Sequence, residues 1–527
     1  MIACIEFRVI LTYPNLSMML TPSYAVGLFT TILKKQGYQI EFFDCTPYMP
    51  SVEFLGEPLA VTRANKLLNS RQFDAKALFG EAKTDLNGDF RKAIERFKPH
   101  AVILSTVVED TWPQAQQMLD ILSEYPKIRH IVGRVFSTIG TEIMIEHPTV
   151  EVMGHGEGEG ILAEFCEAVR RGERPTNILG TWARDPQGKI IKNNPRPLAN
   201  INDLMPDFSL FDDRRFYRPL GARILKAFSI ETYRGCPYTC TFCNSPQQVI
   251  IAKEQEQGNY LRRKNMDTLR REMATMIERH QVEFFYINDD AFMARPKLEM
   301  MAFVKMYEEF KIPFWFQTRL EDFDEERLSA LKSVGCYRIS FGLEHGNEKY
   351  RREKLTRNIS NQRILEQAAI VAKVGIPYSI NTLIGMPYET RELFFETVRF
   401  IREIKTWDAL SVNIFVPYHK TALRDMALNE GWLDPNAQTT SVIAESILRM
   451  PKPYLQPEEI LILQHLIPLY SRLDESRWPE IEEVERNWKN EKGKELFKKL
   501  SEEWYINTYG IDEEDRMLTY QGYGPRS

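Results

Sequence analysis

The sequence contains no run of about eighteen apolar residues, so no segment reads as a membrane-spanning helix. It has no repeat with a solenoid period and no low-complexity tract, which excludes stacked-repeat and compositionally biased architectures. Neither sign of charge dominates: 68 Lys and Arg stand against 73 Asp and Glu, a net charge of −5. A global pull toward nucleic acid or an anionic bilayer is therefore excluded, and no nucleic-acid partner is expected. Cysteine is scarce and odd in number, seven in 527 residues, which argues against a disulfide framework. Four of them, Cys4, Cys45, Cys166 and Cys336, are scattered among apolar neighbours and read as plain buried residues. The opening, MIACIEFRVILTYPN, lacks the basic leader, apolar core and small-residue cleavage site of a secretory signal. It reads as a first strand, and the expected location is cytoplasmic.

What is present is an ordinary globular composition, 43% hydrophobic and 27% charged, long enough for two or three domains. Up to about residue 175, apolar runs alternate with amphipathic segments. CIEFRVIL, QIEFFDC, HAVILSTVV, IRHIVG and VEVMGHG read as five strands. The helix at 23–37 has Ser23 as N-cap and Gly37 just past its end, and the segments around 112–125 and 160–173 have helical spacing. This alternation predicts a doubly wound, Rossmann-like parallel sheet over 1–190, with ligands at the strand carboxyl ends. A proline-rich, aperiodic stretch predicts a surface linker over 191–225. Six further β/α units, with strands near 228–235, 283–290, 313–319, 337–344, 377–385 and 409–417, predict a partial (β/α)6 barrel over 226–425. Ser360 and Gly375 bracket one of its helices. Residues 426–527 read as a charged, aromatic-rich helical region.

Each barrel strand ends in polar or turn residues, which marks a working face. Immediately after the first strand comes RGCPYTCTFCNSP, with Cys236, Cys240 and Cys243. Thiolates bind soft metals. A structural zinc site wants four ligands, so three thiols in one loop would need a distant fourth. An iron–sulfur cluster held by only three thiolates keeps one iron open to an outside ligand.

A Cys-x3-Cys-x2-Cys loop with an aromatic, Phe242, before its last cysteine, at the head of a partial barrel, resembles the radical S-adenosylmethionine (SAM) superfamily. The resemblance spans about 195–425. It implies that the three cysteines hold a [4Fe–4S] cluster whose open iron binds SAM, and that an electron from a flavodoxin- or ferredoxin-type donor cleaves SAM to a 5′-deoxyadenosyl radical. By the same resemblance, Asn288 and Asp289 in YINDDAF, Gln317 and Arg319 in FWFQTR, Glu344 in SFGLEHGNE and Ile384 in TLIGMPYET are SAM-binding candidates. His345 stands where that family usually has serine. The segment FVPYHKTAL departs from the family's Pro-x-Pro-Gly-Thr loop and makes Tyr418 and His419 substrate candidates.

The N-terminal sheet is similar to the cobalamin-binding domain of that family's cobalamin-dependent class. VMGHGEGEG, STVVEDTWPQA and VGRVFSTIG carry this likeness. They nominate Ser105, Thr106, Glu109, Gly133, Thr138, Gly154, Gly156, Glu157, Gly158 and Glu159 as cobalamin contacts. The chain lacks the Asp-x-His-x-x-Gly motif that would supply a cobalt-ligating histidine, and His155 reads as a core or surface residue. A base-off, His-off cobalamin is therefore expected. The resemblance implies a cobalamin-dependent radical SAM methyltransferase, moving a methyl group from SAM via methylcobalamin to an unactivated carbon. The alternatives are a cyclase or rearrangement enzyme with the same cofactors, a methylthiotransferase, and a cobalamin-binding sensor. The substrate (small molecule, lipid, tetrapyrrole or peptide) is not legible.

Overall fold

The expected strands share a pattern in which successive residues can be buried on opposite faces. In a computed structural model, Val9 and Leu11 enter one core of the N-terminal sheet while Ile10 enters the other. The structure describes residues 6–15, 22–48, 80–105, 109–133, 135–220, 223–439 and 445–509, plus isolated two-residue strands at 53–54, 57–58, 72–73 and 517–518. Cys4 and Thr106 lie outside the described residues, as does 16–21 of the first loop. The five runs form Arg8–Tyr13, Gln39–Asp44, Ala101–Ser105, Arg129–Gly133 and Val152–Gly154. They pair in parallel in the order second, first, third, fourth, fifth. Helices Tyr24–Lys35 and Gly158–Arg170 cover one face, and Leu86–Phe97 and Trp112–Leu122 the other. Strand order reverses between the first and third strands, which opens a crevice at their carboxyl ends. Ser23 caps the first helix by accepting from the Val26 amide, and Gly37 follows it at φ +73°.

Two boundaries differ from the sequence reading. An antiparallel hairpin, Thr181–Arg184 and Ile190–Lys192, extends the first sheet, so the expected linker begins inside its last strand. Tyr217–Leu220 pairs antiparallel with Arg223–Ile230, so the linker's end already belongs to the second sheet. The connector between them is not a surface strap. Phe208, Phe211 and Phe216 are buried, and the Phe216 ring stacks on Phe228 of the first barrel strand at 4.1 Å. Gly27 lets this segment lie on the first helix: a Cβ there would stand 2.7 Å from Pro206 Cβ. The aperiodic spacing arises because the segment packs against both neighbours.

The second sheet has six parallel strands in chain order: Arg223–Ile230, Phe284–Ile287, Phe314–Thr318, Cys336–Glu344, Tyr378–Ile384 and Ala409–Ile414. Sequential order with right-handed helical crossovers curls such a sheet into a partial barrel with one working rim. Its last strand is an edge, and helix Pro457–Arg472 covers it. Gln464 Nε2 donates to the Val412 carbonyl there, which satisfies an edge acceptor. Helix Trp478–Arg486 packs on that covering helix. The described C-terminal helices from 457 onward thus seal the sheet edge.

Truncating the connector tests its structural role. Phe208→Ala should cost about 3–5 kcal/mol, as for other buried aromatics, and lower the urea midpoint of the first unfolding transition. An unchanged midpoint would show that the connector does not join the two cores.

Candidate active site

The cysteine loop follows the first barrel strand and is held from several sides. Thr241 Oγ1 donates to the Lys354 carbonyl at 2.5 Å, and the Leu423 amide donates to the Thr241 carbonyl at 3.1 Å. Cys236, Cys240 and Cys243 are partly buried. Burial pushes all three thiols up, Cys236 to about 12 and Cys243 to about 11. Donors face the sulfurs: the Ser245 amide lies 3.5 Å from Cys243 Sγ, Arg319 Nη1 lies 3.5 Å from Cys240 Sγ, and the Tyr238 backbone bonds Cys236. Phe242 packs in an apolar cluster with Met386 and Phe415.

The other SAM candidates fall into distinct environments. Asn288 sits at the mouth of a cavity, its amide bonded to the Ile230 carbonyl. Asp289 does not face that cavity. It is fully buried, accepts from the Thr232 and Tyr233 amides at 2.8 and 3.0 Å, and pairs with Arg295 at 2.8 Å. Its neighbour Asp290 takes the cavity position, bonded to Ser245 Oγ at 2.8 Å, with burial raising its carboxyl. Tandem aspartates signal such a residue without saying which of the two turns inward. Gln317 is half-buried, and its carbonyl accepts from the Phe292 amide. Arg319 is committed to the cysteine loop and to Glu321. Glu344 adopts φ +65° at a bulge and pairs with Arg357 at 2.7 Å. Burial raises its carboxyl and Arg357 opposes. A Cβ on Gly342 would stand 1.9 Å from Glu344 Oε1, so the Glu344 side chain would have to move to admit one. The Ile384 side chain lies in the core while its carbonyl accepts from Phe415.

His345, the unusual residue, is wholly buried and stacked on Tyr350. Its Nδ1 accepts from the Asn347 amide, so Nε2 carries the proton, 3.6 Å from Glu389 Oε1. Glu389 Oε2 accepts from the Gly385 and Met386 amides at 2.6 and 3.2 Å and fixes that turn. Burial pushes the Glu389 carboxyl up to about 8 and holds His345 neutral, down to about 3.

A cavity of about 570 Å³ opens between the two sheets. Its wall includes Ser105, Gly133, Thr138, Gly154, Gly156, Glu157, Gly158 and Glu159 from the N-terminal carboxyl ends, and Gly235, Asn244, Ser245, Asn288 and Asp290 from the barrel rim. Ser105 Oγ is buried without a partner among the described residues. A Cβ on Gly133 would meet nothing within 4 Å. Gly156 holds φ +92°, and its amide donates to Thr138 Oγ1 at 2.9 Å.

Four nominated residues also serve the packing of the chain itself, and three of them, Glu157, Gly158 and Glu159, still line the cavity. Gly158 and Glu159 lie in the first turn of helix Gly158–Arg170, not in a loop, and a Cβ on Gly158 would strike the Phe29 ring at 2.8 Å. Glu157 and Glu159 bind Arg234 Nη1 at 2.7 and 2.8 Å, and Arg262 also binds Glu157. Arg234 grips Glu231 in two parallel bonds of 2.9 Å. Burial opposes the Glu157 charge, but Arg262 and Arg234 outweigh it and hold its carboxyl below the usual range. Glu109 does not line the cavity. Buried in the turn after the third strand, it accepts from the His419 amide at 2.8 Å, pairs with His419 Nδ1 at 2.7 Å and accepts from Thr439 Oγ1 at 2.5 Å. His419 is thereby engaged between the domains, and Tyr418 lends its carbonyl to Thr421. Among the described residues, no histidine lines the cavity. His155 lies behind it, stacked near Trp182, with burial lowering it to about 4. Arg234, Arg262 and Glu231 were not singled out as site residues, although Arg234 stands two residues before the first cysteine.

Residues 230–401 match the Radical SAM superfamily model. The protein carries a radical SAM domain and is an enzyme of that chemistry. An uncharacterized methyltransferase of Pyrococcus horikoshii is 24% identical over 78% of this chain and 91% of its own length. The radical SAM methyltransferase TsrM of Kitasatospora setae, solved with tryptophan substrate and a SAM analogue, shares the fold at TM-score 0.58 and 16% identity, over 90% of each chain. The cobalamin-dependent SAM radical enzyme OxsB, solved with aqua-cobalamin and SAM, does so at TM-score 0.62 and 14% identity, over 96% of this chain and 72% of its own.

Glu389 gives a pH test. The folded carboxyl keeps its proton to about pH 8, whereas an unfolded one releases it near about 4.3. Wild-type stability from this group should therefore fall as pH rises between those values. Glu389→Gln, which cannot ionise, should gain stability relative to wild type across that window in thermal melts at stepped pH. Parallel melting curves would contradict the assignment.

Proposed function

We propose that the protein is a cobalamin-dependent radical SAM methyltransferase that moves a methyl group from SAM, via bound cobalamin, to an unactivated carbon. One observation carries this reading: a single cavity runs from the switch-point strand ends of the N-terminal sheet to the rim that bears the cysteine loop. The residues present fit both groups. Small residues and the orphaned Ser105 Oγ suit the close approach and hydrogen bonding of an amide-rimmed corrin. The absence of histidine among the described residues of the wall favours a base-off, His-off cobalamin. Three thiols faced by an amide and a guanidinium suit a [4Fe–4S] cluster, since hydrogen bonds to ligand sulfurs are characteristic of such sites.

When bound, the cluster supplies the electron that cleaves SAM, and cobalamin carries the methyl group. The chain's own residues do the placement. Cys236, Cys240 and Cys243 hold the cluster. Asn288 and Asp290 present polar groups to SAM at the rim, Glu344 and the Glu389-braced turn shape the adjoining strand ends, and Arg234 holds the two cofactor loops together. The flavodoxin- or ferredoxin-type donor and the cytoplasmic location belong to the same proposal. The substrate enters as a carbon skeleton without nucleophilic character.

Anaerobic reconstitution with iron, sulfide and hydroxocobalamin tests this. About one cobalamin and about four irons per chain are expected after desalting. Cys240→Ala should lose iron and 5′-deoxyadenosine formation yet keep cobalamin, whereas Gly133→Trp, which fills the cavity, should keep iron and lose cobalamin. Iron without cobalamin in the wild type would remove the methyl carrier. Deoxyadenosine without a methylated product, once a substrate is found, would assign a rearrangement instead.

A further inference from the structure

Arg319 follows the third barrel strand, and every part of its guanidinium is committed. The group lies 3.9 Å over the ring of Tyr238, which sits inside the cysteine loop. Nε and Nη2 form a two-point grip on the Glu321 carboxylate. The remaining nitrogen, Nη1, stands 3.5 Å from Cys240 Sγ. The side chain is only 11% exposed. A ligand carboxylate would seek the paired nitrogens of this fork, and Glu321 already holds two of them. What the fork leaves free points at sulfur.

We propose that Arg319 is a positioning residue that sets the reduction potential of the cluster through Cys240, rather than a contact to SAM. The proposal rests on the reading that the three cysteines hold a [4Fe–4S] cluster. A cation and an N–H donor fixed against a ligand sulfur, away from water, stabilise the state that carries one more electron. Glu321 lies on the other side of the same guanidinium and moderates that charge. The electron comes from the external donor, and a higher cluster potential makes its delivery easier.

The test compares wild type, Arg319→Gln, Arg319→Lys and Glu321→Gln, each reconstituted anaerobically without SAM or substrate. Iron and sulfide are counted, and the cluster is titrated potentiometrically by electron paramagnetic resonance. Arg319→Gln should be harder to reduce by at least tenfold in the reduced-to-oxidised ratio at fixed potential, about 59 mV for a one-electron couple. Arg319→Lys, which keeps the charge but not the fork, should shift less. Glu321→Gln should shift the opposite way, which a merely structural defect would not do. Equal potentials in wild type and Arg319→Gln at equal iron content would overturn the proposal. Should Arg319→Gln fail to assemble a cluster, an unchanged or lowered potential in Glu321→Gln overturns it. A wild-type chain that takes up no cluster overturns the underlying reading instead.

Discussion

Arg234 is the residue on which the site's geometry depends. It stands two residues before Cys236, and its guanidinium is shared among Glu157, Glu159 and Glu231. Glu157 also accepts from Arg262 and from the Ala199 amide of the connector. Buried charges of this kind are costly to desolvate and contribute little net stability against an apolar alternative. What they supply is definition. The carboxylates find their counter-charges on the segments around the cysteine loop, Arg234 and Arg262, which fixes the cofactor loop of the first sheet against the second.

The rest of the interface extends that constraint. On one side Tyr24 donates to Glu272 at 2.7 Å, and Lys264 is buried against both. On another, Glu109 collects His419 and Thr439, while Lys420 Nζ reaches the Thr138 carbonyl at 3.4 Å. The aromatic connector fills the space between with Phe208, Phe211 and Phe216. The cavity is thus framed by contacts from several separate chain segments. Chemistry that must pass a group between two cofactors needs this, because a small error in relative position is expensive in rate.

Much of the fold was legible in the sequence because its signals are local. Five apolar runs, six β/α units, the caps Ser23 and Ser360 and the stops Gly37 and Gly375 all report short-range periodicity and backbone conformation. The hairpin Thr181–Lys192 and the strand Tyr217–Leu220 escaped, since three or four residues at a sheet edge carry no period. The three cysteines stand out by their spacing, whereas the cluster they would hold is what the family resemblance implies. Asp290 was not separable from Asp289, because which of two adjacent side chains turns inward depends on where Arg295 is buried.

The sequence by itself determined the two sheets, the grouping of three thiols in one loop and the lack of a histidine-bearing cobalt motif, because composition, spacing and period fix these locally. Tertiary structure alone decided which polar residues serve the cavity and which serve the interface. Glu109 and His419 serve the interface, while Glu157 and Glu159 line the cavity and serve the interface as well. In the fold they find partners 75 or more positions away. A buried charge goes to whichever counter-charge the packing brings within reach, and that distance is not written in any local pattern.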